Sequence, residues 1–254
     1  MIRLFLLTLA ATPAAIGHAQ NLQDHQYTSA DIQNGARLYA AQCALCHGPT
    51  GDGVSGIDLR RGVFRRVSSD DDIANVLQTG IAAVGMPAFT FPAADVTGII
   101  AYIRAGFDPT GTPVKVGNAA RGQALVEGKG RCLTCHRING RGLRTAPDLS
   151  DIGAQRTAGV LQRSLLDPTS AMWPINRPVR IVTKNGRTIR GRRLNEDTFT
   201  VQLIDEEEQL VSLDKADIKA LEVGKTSTMP PASKVLSPDE IADVVAYLLS
   251  LRGM

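Results

Sequence analysis

The chain has 254 residues, 43% of them hydrophobic and 21% charged, with a formal net charge of +3. That length accommodates two small domains, each able to bury a core, and no nucleic-acid-binding module accompanies the basic residues. Beyond the first twenty residues no long apolar stretch follows, which excludes a membrane span from a processed chain.

The N-terminus, "MIRLFLLTLAATPAAIGHAQN", has one early basic residue, Arg3, an apolar run from Leu4 to Ile16 and small residues ending in "GHA". It reads as a secretory signal over residues 1–19, cleaved after Ala19, which places the mature protein in the periplasm. Next, "TSADIQNGARLYAAQCALCHG" predicts a helix opened by Thr28 or Ser29, with Ile32, Gly35 and Tyr39 on one face, and a Gly-rich loop follows from Gly48 to Gly62. "SSDDDIANVLQTGI" predicts a second helix, serine-capped, with three aspartates at the positive end of its dipole and Ile73, Val76 and Leu77 buried. A loop from Gly80 to Phe91 leads to a closing helix carrying Val96, Ile99, Ile100 and Ile103, which ends near Gly106.

The same order then returns: a helix over "NAARGQALVEGKGRCLTCH", a Gly-rich loop, a helix at "TAGVLQRSLLDP" and a closing helix at "SPDEIADVVAYLLSLRG". In that last helix Ser237 is the cap, Pro238 the first helical residue and Glu240 the partner of a capping box. An internal duplication follows, with domain 1 at 20–108, a linker at 109–116 and domain 2 at 117–254. One stretch breaks the parallel. Residues 179–223 turn to period two, with Asn185-Gly186 as a hairpin signal and two further short strands, and predict a small antiparallel β insertion in domain 2.

Each half carries two cysteines separated by two residues and followed at once by histidine: Cys43, Cys46 and His47, then Cys132, Cys135 and His136. Such pairs serve as redox dithiols, zinc half-sites or haem attachment points. A redox CxxC expects a βαβ context, which is missing, and zinc needs converging ligands, whereas these pairs lie in separate, self-similar segments. CxxCH is the attachment sequence of haem c, in which the thiols add to the vinyl groups and the histidine ligates iron. Two covalently attached haems are therefore expected. Of the remaining histidines, His18 lies in the signal and His25 near the new N-terminus, so bis-histidine ligation of both irons is excluded within one chain.

The order helix, CxxCH, Gly-rich loop, helix, "GMPAF" and aromatic-bearing helix resembles that of small monohaem c-type cytochromes, twice over. The resemblance implies a mainly α fold of two cytochrome c-like helical domains, the second with its β insertion. It also implies His47 and Met86 on the first iron, His136 and Met229 on the second, and Tyr39 and Tyr102 at a crossing of first and last helices. Met172 rivals Met229: it lies thirty-six residues after His136, as Met86 lies thirty-nine after His47. Met229 is preferred because it precedes the closing helix directly and repeats the Met-Pro of Met86. The family's proline after CxxCH, whose carbonyl orients the proximal histidine, is matched by Pro147, while domain 1 has Ile57 there.

More narrowly, the stretch from "LLDPTSAMWPINRP" to the closing helix resembles a haem-binding domain found beside bacterial quinone-dependent β-propeller dehydrogenases. The resemblance implies a periplasmic dihaem cytochrome c without catalytic residues of its own. It would take electrons from a dehydrogenase and deliver them to a cytochrome or oxidase. The alternatives are a dihaem peroxidase or a cytochrome subunit of a dehydrogenase complex. Residues 20–109 hold six basic and nine acidic side chains, net −3, and residues 110–254 hold twenty-one and sixteen, net +5, an asymmetry able to orient redox partners.

Overall fold

Three capping boxes set the helical frame. Thr28 closes a capping box with Asp31 at the start of α1 (Ser29–Gln42), Ser69 with Asp72 at α3 (Asp70–Thr79), and Ser237 with Glu240 at α8 (Pro238–Ser250). Between them lie α2 (Ala44–His47), α4 (Ala93–Arg104), α5 (Ala119–Glu127), α6 (Ile152–Gln155) and α7 (Ala158–Leu166). The computed structural model describes residues 26–60, 62, 64, 65, 67 and 69–253. Residues 1–19, read from the sequence as a signal peptide, and His25 lie outside the described residues.

The duplication is visible in how the helices cross. α1 packs on α4, and α5 on α8, each pair meeting at a glycine. A Cβ on Gly35 would sit 1.8 Å from the Gly98 carbonyl oxygen, and one on Gly122 would sit 1.9 Å from that of Asp243. Any side chain would force the helices apart, so glycine sets their separation. Tyr102 and Tyr247 occupy the same place, each four residues beyond the contact. The expected Tyr39–Tyr102 pairing is present, with ring centroids 5.6 Å apart.

The first helix of the second half is shorter than its sequence pattern predicts. α5 stops at Glu127, Gly128 caps it, and the chain turns through Arg131 in the left-handed region (φ 52°) before a short 3-10 turn at Cys132–Thr134. Residues 109–116, the expected linker, are packed into the molecule: Val114 and Val116 are buried, and Gln162 of α7 bonds Lys115 N and Pro113 O. One apolar core, including Ile32, Ile99, Val126 and Val245, runs through both halves.

The β insertion is larger than expected. Beside a two-residue hairpin, β1 (Arg137–Ile138) with β2 (Arg141–Gly142), five antiparallel strands form one sheet. They are β3 (Pro178–Thr183), β4 (Thr188–Glu196), β5 (Thr200–Asp205), β6 (Leu210–Asp214) and β7 (Ile218–Val223), in the order β6-β5-β4-β3-β7. β7 is the strand that the period-two reading does not resolve. Only Lys215–Asp217 join β6 to β7, strands on opposite edges. In a flat sheet those edges would stand about 19 Å apart, yet four Cα steps reach about 15 Å at most. The sheet must therefore curl into a small open barrel, which irregular register at Val182/Thr183 and Arg193/Asn195 assists. Val179, Ile181, Ile189, Val201 and Leu203 fill it as a second, separate core.

Candidate functional site

Each CxxCH is wound into one tight turn by the same two backbone bonds. Cys46 N and His47 N both donate to Cys43 O, at 3.2 and 2.9 Å, and Cys135 N and His136 N donate to Cys132 O at 3.2 and 2.9 Å. Residues i, i+3 and i+4 share a face of such a turn, so two thiols and the imidazole face one side. All four cysteines are free thiols. Burial, then the neighbouring Cys46, pushes the Cys43 thiol up to about 11. Burial likewise raises Cys132.

In domain 2 the expected residues converge. A cavity of about 750 Å³ is lined by Cys132, Cys135, His136, Met172, Met229 and the apolar Val126, Leu161, Leu165, Val244 and Leu248 of the surrounding helices. Two thiols, an imidazole and thioethers in an apolar cavity are the donor set of a haem c, so the residues fit that group. His136 Nδ1 donates to the Pro147 carbonyl at 2.7 Å, which leaves Nε2 as the free lone pair for a metal. Burial lowers the His136 pKa, the Pro147 carbonyl opposes that, and the Arg192 charge adds to it. The net direction favours the neutral ring, the form that ligation requires. Both candidate methionines reach this cavity. Met229 N bonds Ser227 Oγ at 3.1 Å, and the side chain packs on the main core; Met172 adjoins Trp173, over whose ring the Arg156 guanidinium stacks at 3.7 Å.

Domain 1 builds the corresponding residues differently. α1 runs directly into Cys43, and Met86 comes from the loop between α3 and α4, tied by paired backbone bonds with Ile81 at 2.9 and 3.2 Å. Met86 and Cys43 pack against the same core. His47 Nδ1 is buried without a hydrogen-bond partner among the described residues. Burial lowers the pKa of this histidine too. Tyr39, which donates to Gly48 O at 2.8 Å, stands where domain 2 has Val126.

Sequence reasoning did not foresee the arginines at the domain 2 cavity. Arg180, Arg190 and Arg192 come from the barrel and Arg156 from the loop before α7. Their signal was present in "RTIRGRR", where Arg190 and Arg192 fall two apart on one strand face, opposite the core residue Ile189.

Two family models match the chain. The description "Cytochrome C oxidase, cbb3-type, subunit III" matches residues 30–103, and "Cytochrome c" matches residues 119–198. No curated protein matches. The matched stretches divide where the duplication does, the first holding Cys43 through Met86 and the second Cys132 through Met172. Such domains are electron-transfer haem modules, and their partners are redox proteins. The chain carries two cytochrome c-type domains, packed through a shared core.

Proposed function

We propose that the protein is a dihaem cytochrome c of the periplasm, exported by its N-terminal signal, which carries electrons from a dehydrogenase to a downstream cytochrome or oxidase. The observation that carries the reading is the pair of CxxCH turns, each presenting two free thiols and a half-buried histidine within its own cytochrome c-type domain. Haem c, when bound, supplies reversible one-electron iron chemistry.

The chain's residues hold and tune that group. Cys43 and Cys46, and Cys132 and Cys135, would form the thioethers; His47 and His136 would be the proximal ligands; Met86 and Met229 would be the distal ligands. Neutral imidazole and thioether donors add no charge to the iron, and the thioether favours the ferrous state. Apolar walls such as Leu161, Leu165 and Leu248 exclude water. A histidine and a methionine to hold each haem would leave no ligand position open, so electron transfer would be favoured over peroxide activation. The resemblance of the insertion supports a quinone-dependent β-propeller dehydrogenase as donor, and opposite net charges on the two halves support a different partner at each.

Intact mass after acid–acetone extraction, on protein from cells competent in cytochrome maturation, should exceed the processed polypeptide by two haems. The reduced protein should be low-spin and slow to bind carbon monoxide. A bare polypeptide mass sinks the reading, and rapid carbon monoxide binding with sustained peroxide reduction replaces it with a peroxidase.

A further inference from the structure

The barrel's outer face at the domain 2 cavity carries an unusual concentration of cations. Arg180 on β3 and Arg190 on β4 are direct cross-strand partners, a like-charge pairing that ordinarily weakens a sheet. Arg192 lies two residues along on the same face. Glu222 on β7, next to Arg180 in register, answers one of these charges at 3.1 Å. Arg190 and Arg192 have no carboxylate partner among the described residues. Arg192 Nη2 donates to the Arg144 carbonyl at 3.3 Å, while its Nε is buried with no partner.

The strands that carry them are held against the cavity. The β5–β6 turn grips the loop that follows CxxCH, with Glu208 Oε1 accepting from Arg144 N at 2.7 Å. That loop continues to Pro147, the partner of His136. The Arg190 and Arg192 guanidinium groups thus stand at the wall of the cavity that holds His136, and although Asp205, Glu206 and Glu222 also line that cavity, neither arginine has a carboxylate ion pair among the described residues. Guanidinium binds carboxylate in bidentate fashion, and a porphyrin of the haem b or c type carries two carboxylates.

We propose that Arg190 and Arg192 of the inserted barrel, together with Arg156, bind the two carboxylates of the second domain's porphyrin and raise that haem's reduction potential. The inference rests on the dihaem reading above. Its electrostatic sign follows from the charge on the reacting centre. Ferric haem, a porphyrin dianion with Fe(III), carries +1 and becomes neutral on gaining one electron, so nearby cations favour the reduced form. Without the arginines, uncompensated carboxylates favour the oxidised form. The barrel thereby acts as a tuning wall, and among the described residues domain 1 has no corresponding sheet.

Arg192→Gln and Arg190→Gln test this by spectroelectrochemical titration of the holoprotein. One of the two redox waves should move to lower potential. At an effective dielectric constant near 20 and roughly 10 Å from iron, one lost charge lowers the ferrous-to-ferric ratio at fixed poise about tenfold, equivalent to about 59 mV. Arg192→Lys should retain most of the wild-type potential, and Arg187→Gln, at the exposed hairpin tip, should move neither wave. Arg190 is exposed, so its replacement leaves the fold intact if Arg192→Gln does not. Unmoved waves in both neutral variants overturn the proposal. So does a wild-type wave that shifts on titration with inorganic phosphate, which would make the arginines a soluble-anion site. A wild-type mass with no haem on the second motif defeats the dihaem reading instead.

Discussion

The two halves keep the same helix crossing and differ in almost everything around it. Gly35 on Gly98, with Tyr102 beyond, corresponds to Gly122 on Asp243, with Tyr247 beyond. Around that constant element, domain 1 fills its interior with Tyr39, Tyr102 and Phe107, whose rings lie 4.7–5.6 Å apart. Domain 2 puts Val126 in the place of Tyr39 and adds a barrel, an arginine wall and a carbonyl on His136. The comparison teaches that a crossing set by backbone contact tolerates little change, whereas the surroundings of each CxxCH turn are open to loops and insertions.

The largest expected effect concerns the distal ligand, the feature that the two halves should share. Met86→Ala and Met229→Ala should each abolish the sulfur–iron charge-transfer band of one haem and lower its potential, because the thioether no longer favours ferrous iron. Met172→Ala should leave both bands. Both domain 2 methionines line the cavity, so the spectra decide between them. If Met172→Ala removes the band and Met229→Ala does not, the halves differ in distal topology as well, and the barrel follows the distal loop.

Next is the crossing itself. Gly35→Ala and Gly122→Ala each place a Cβ within 2 Å of a carbonyl oxygen on the facing helix. Each should cost about 3 kcal/mol or more, read by denaturant titration. Because one core joins the halves, either substitution should lower a single cooperative transition. Two separated transitions would show the halves to be independent.

How much of this was legible in sequence follows the range of the interactions involved. Caps, apolar stripes and the CxxCH turns are written within a few residues, so α1, α3, α4 and α8 fall where Thr28, Ser69, Gly106 and Ser237 place them. α5 ends early because Gly128 and Gly130 interrupt a pattern that otherwise runs on to the cysteines. β7 pairs with β3, some forty residues earlier, and its burial pattern has no clean alternation to announce it. The arginine wall was the least legible: only the curl of the sheet and the grip of Glu208 on Arg144 bring Arg192 beside His136.

A smaller effect sharpens the contrast between Gly98 and Asp243, which occupy equivalent places. Asp243 is buried and accepts from Asn118 N at 2.6 Å and from Arg121 at 2.7 Å through both oxygens. The hydrogen bond and charge of Arg121 hold its carboxyl below the ordinary aspartate value of 3.8. A depressed folded pKa contributes stability in full above that ordinary value. The contribution is lost as pH falls through the lower, folded pKa. Asp243→Asn should cost about 2 kcal/mol at pH 7, since Arg121 is largely exposed and the loss is reduced by solvent. The difference from wild type should shrink in melts below pH 3.8. A pH-independent difference would assign the cost to packing.

The smallest effect concerns the proximal histidines. The acceptor for His136 Nδ1 is a backbone carbonyl, which any residue supplies, so Pro147→Ala should keep the bond and the spectrum of the second haem. What it removes is the proline's restraint on the unfolded chain, worth about 0.4–1 kcal/mol. The reciprocal change should not transfer that benefit to domain 1. Ile57 N–H donates to Val54 O at 3.0 Å, a bond that proline cannot make. Ile57→Pro should therefore lose about 1 kcal/mol instead of gaining, and should leave His47 Nδ1 as it is. Thermal melts of both variants, with the charge-transfer bands followed alongside, test the pair. A second-haem band altered by Pro147→Ala would mean that the proline ring, beyond its carbonyl, fixes the orientation of His136, and stabilisation by Ile57→Pro would mean that the two loops share one backbone path after all.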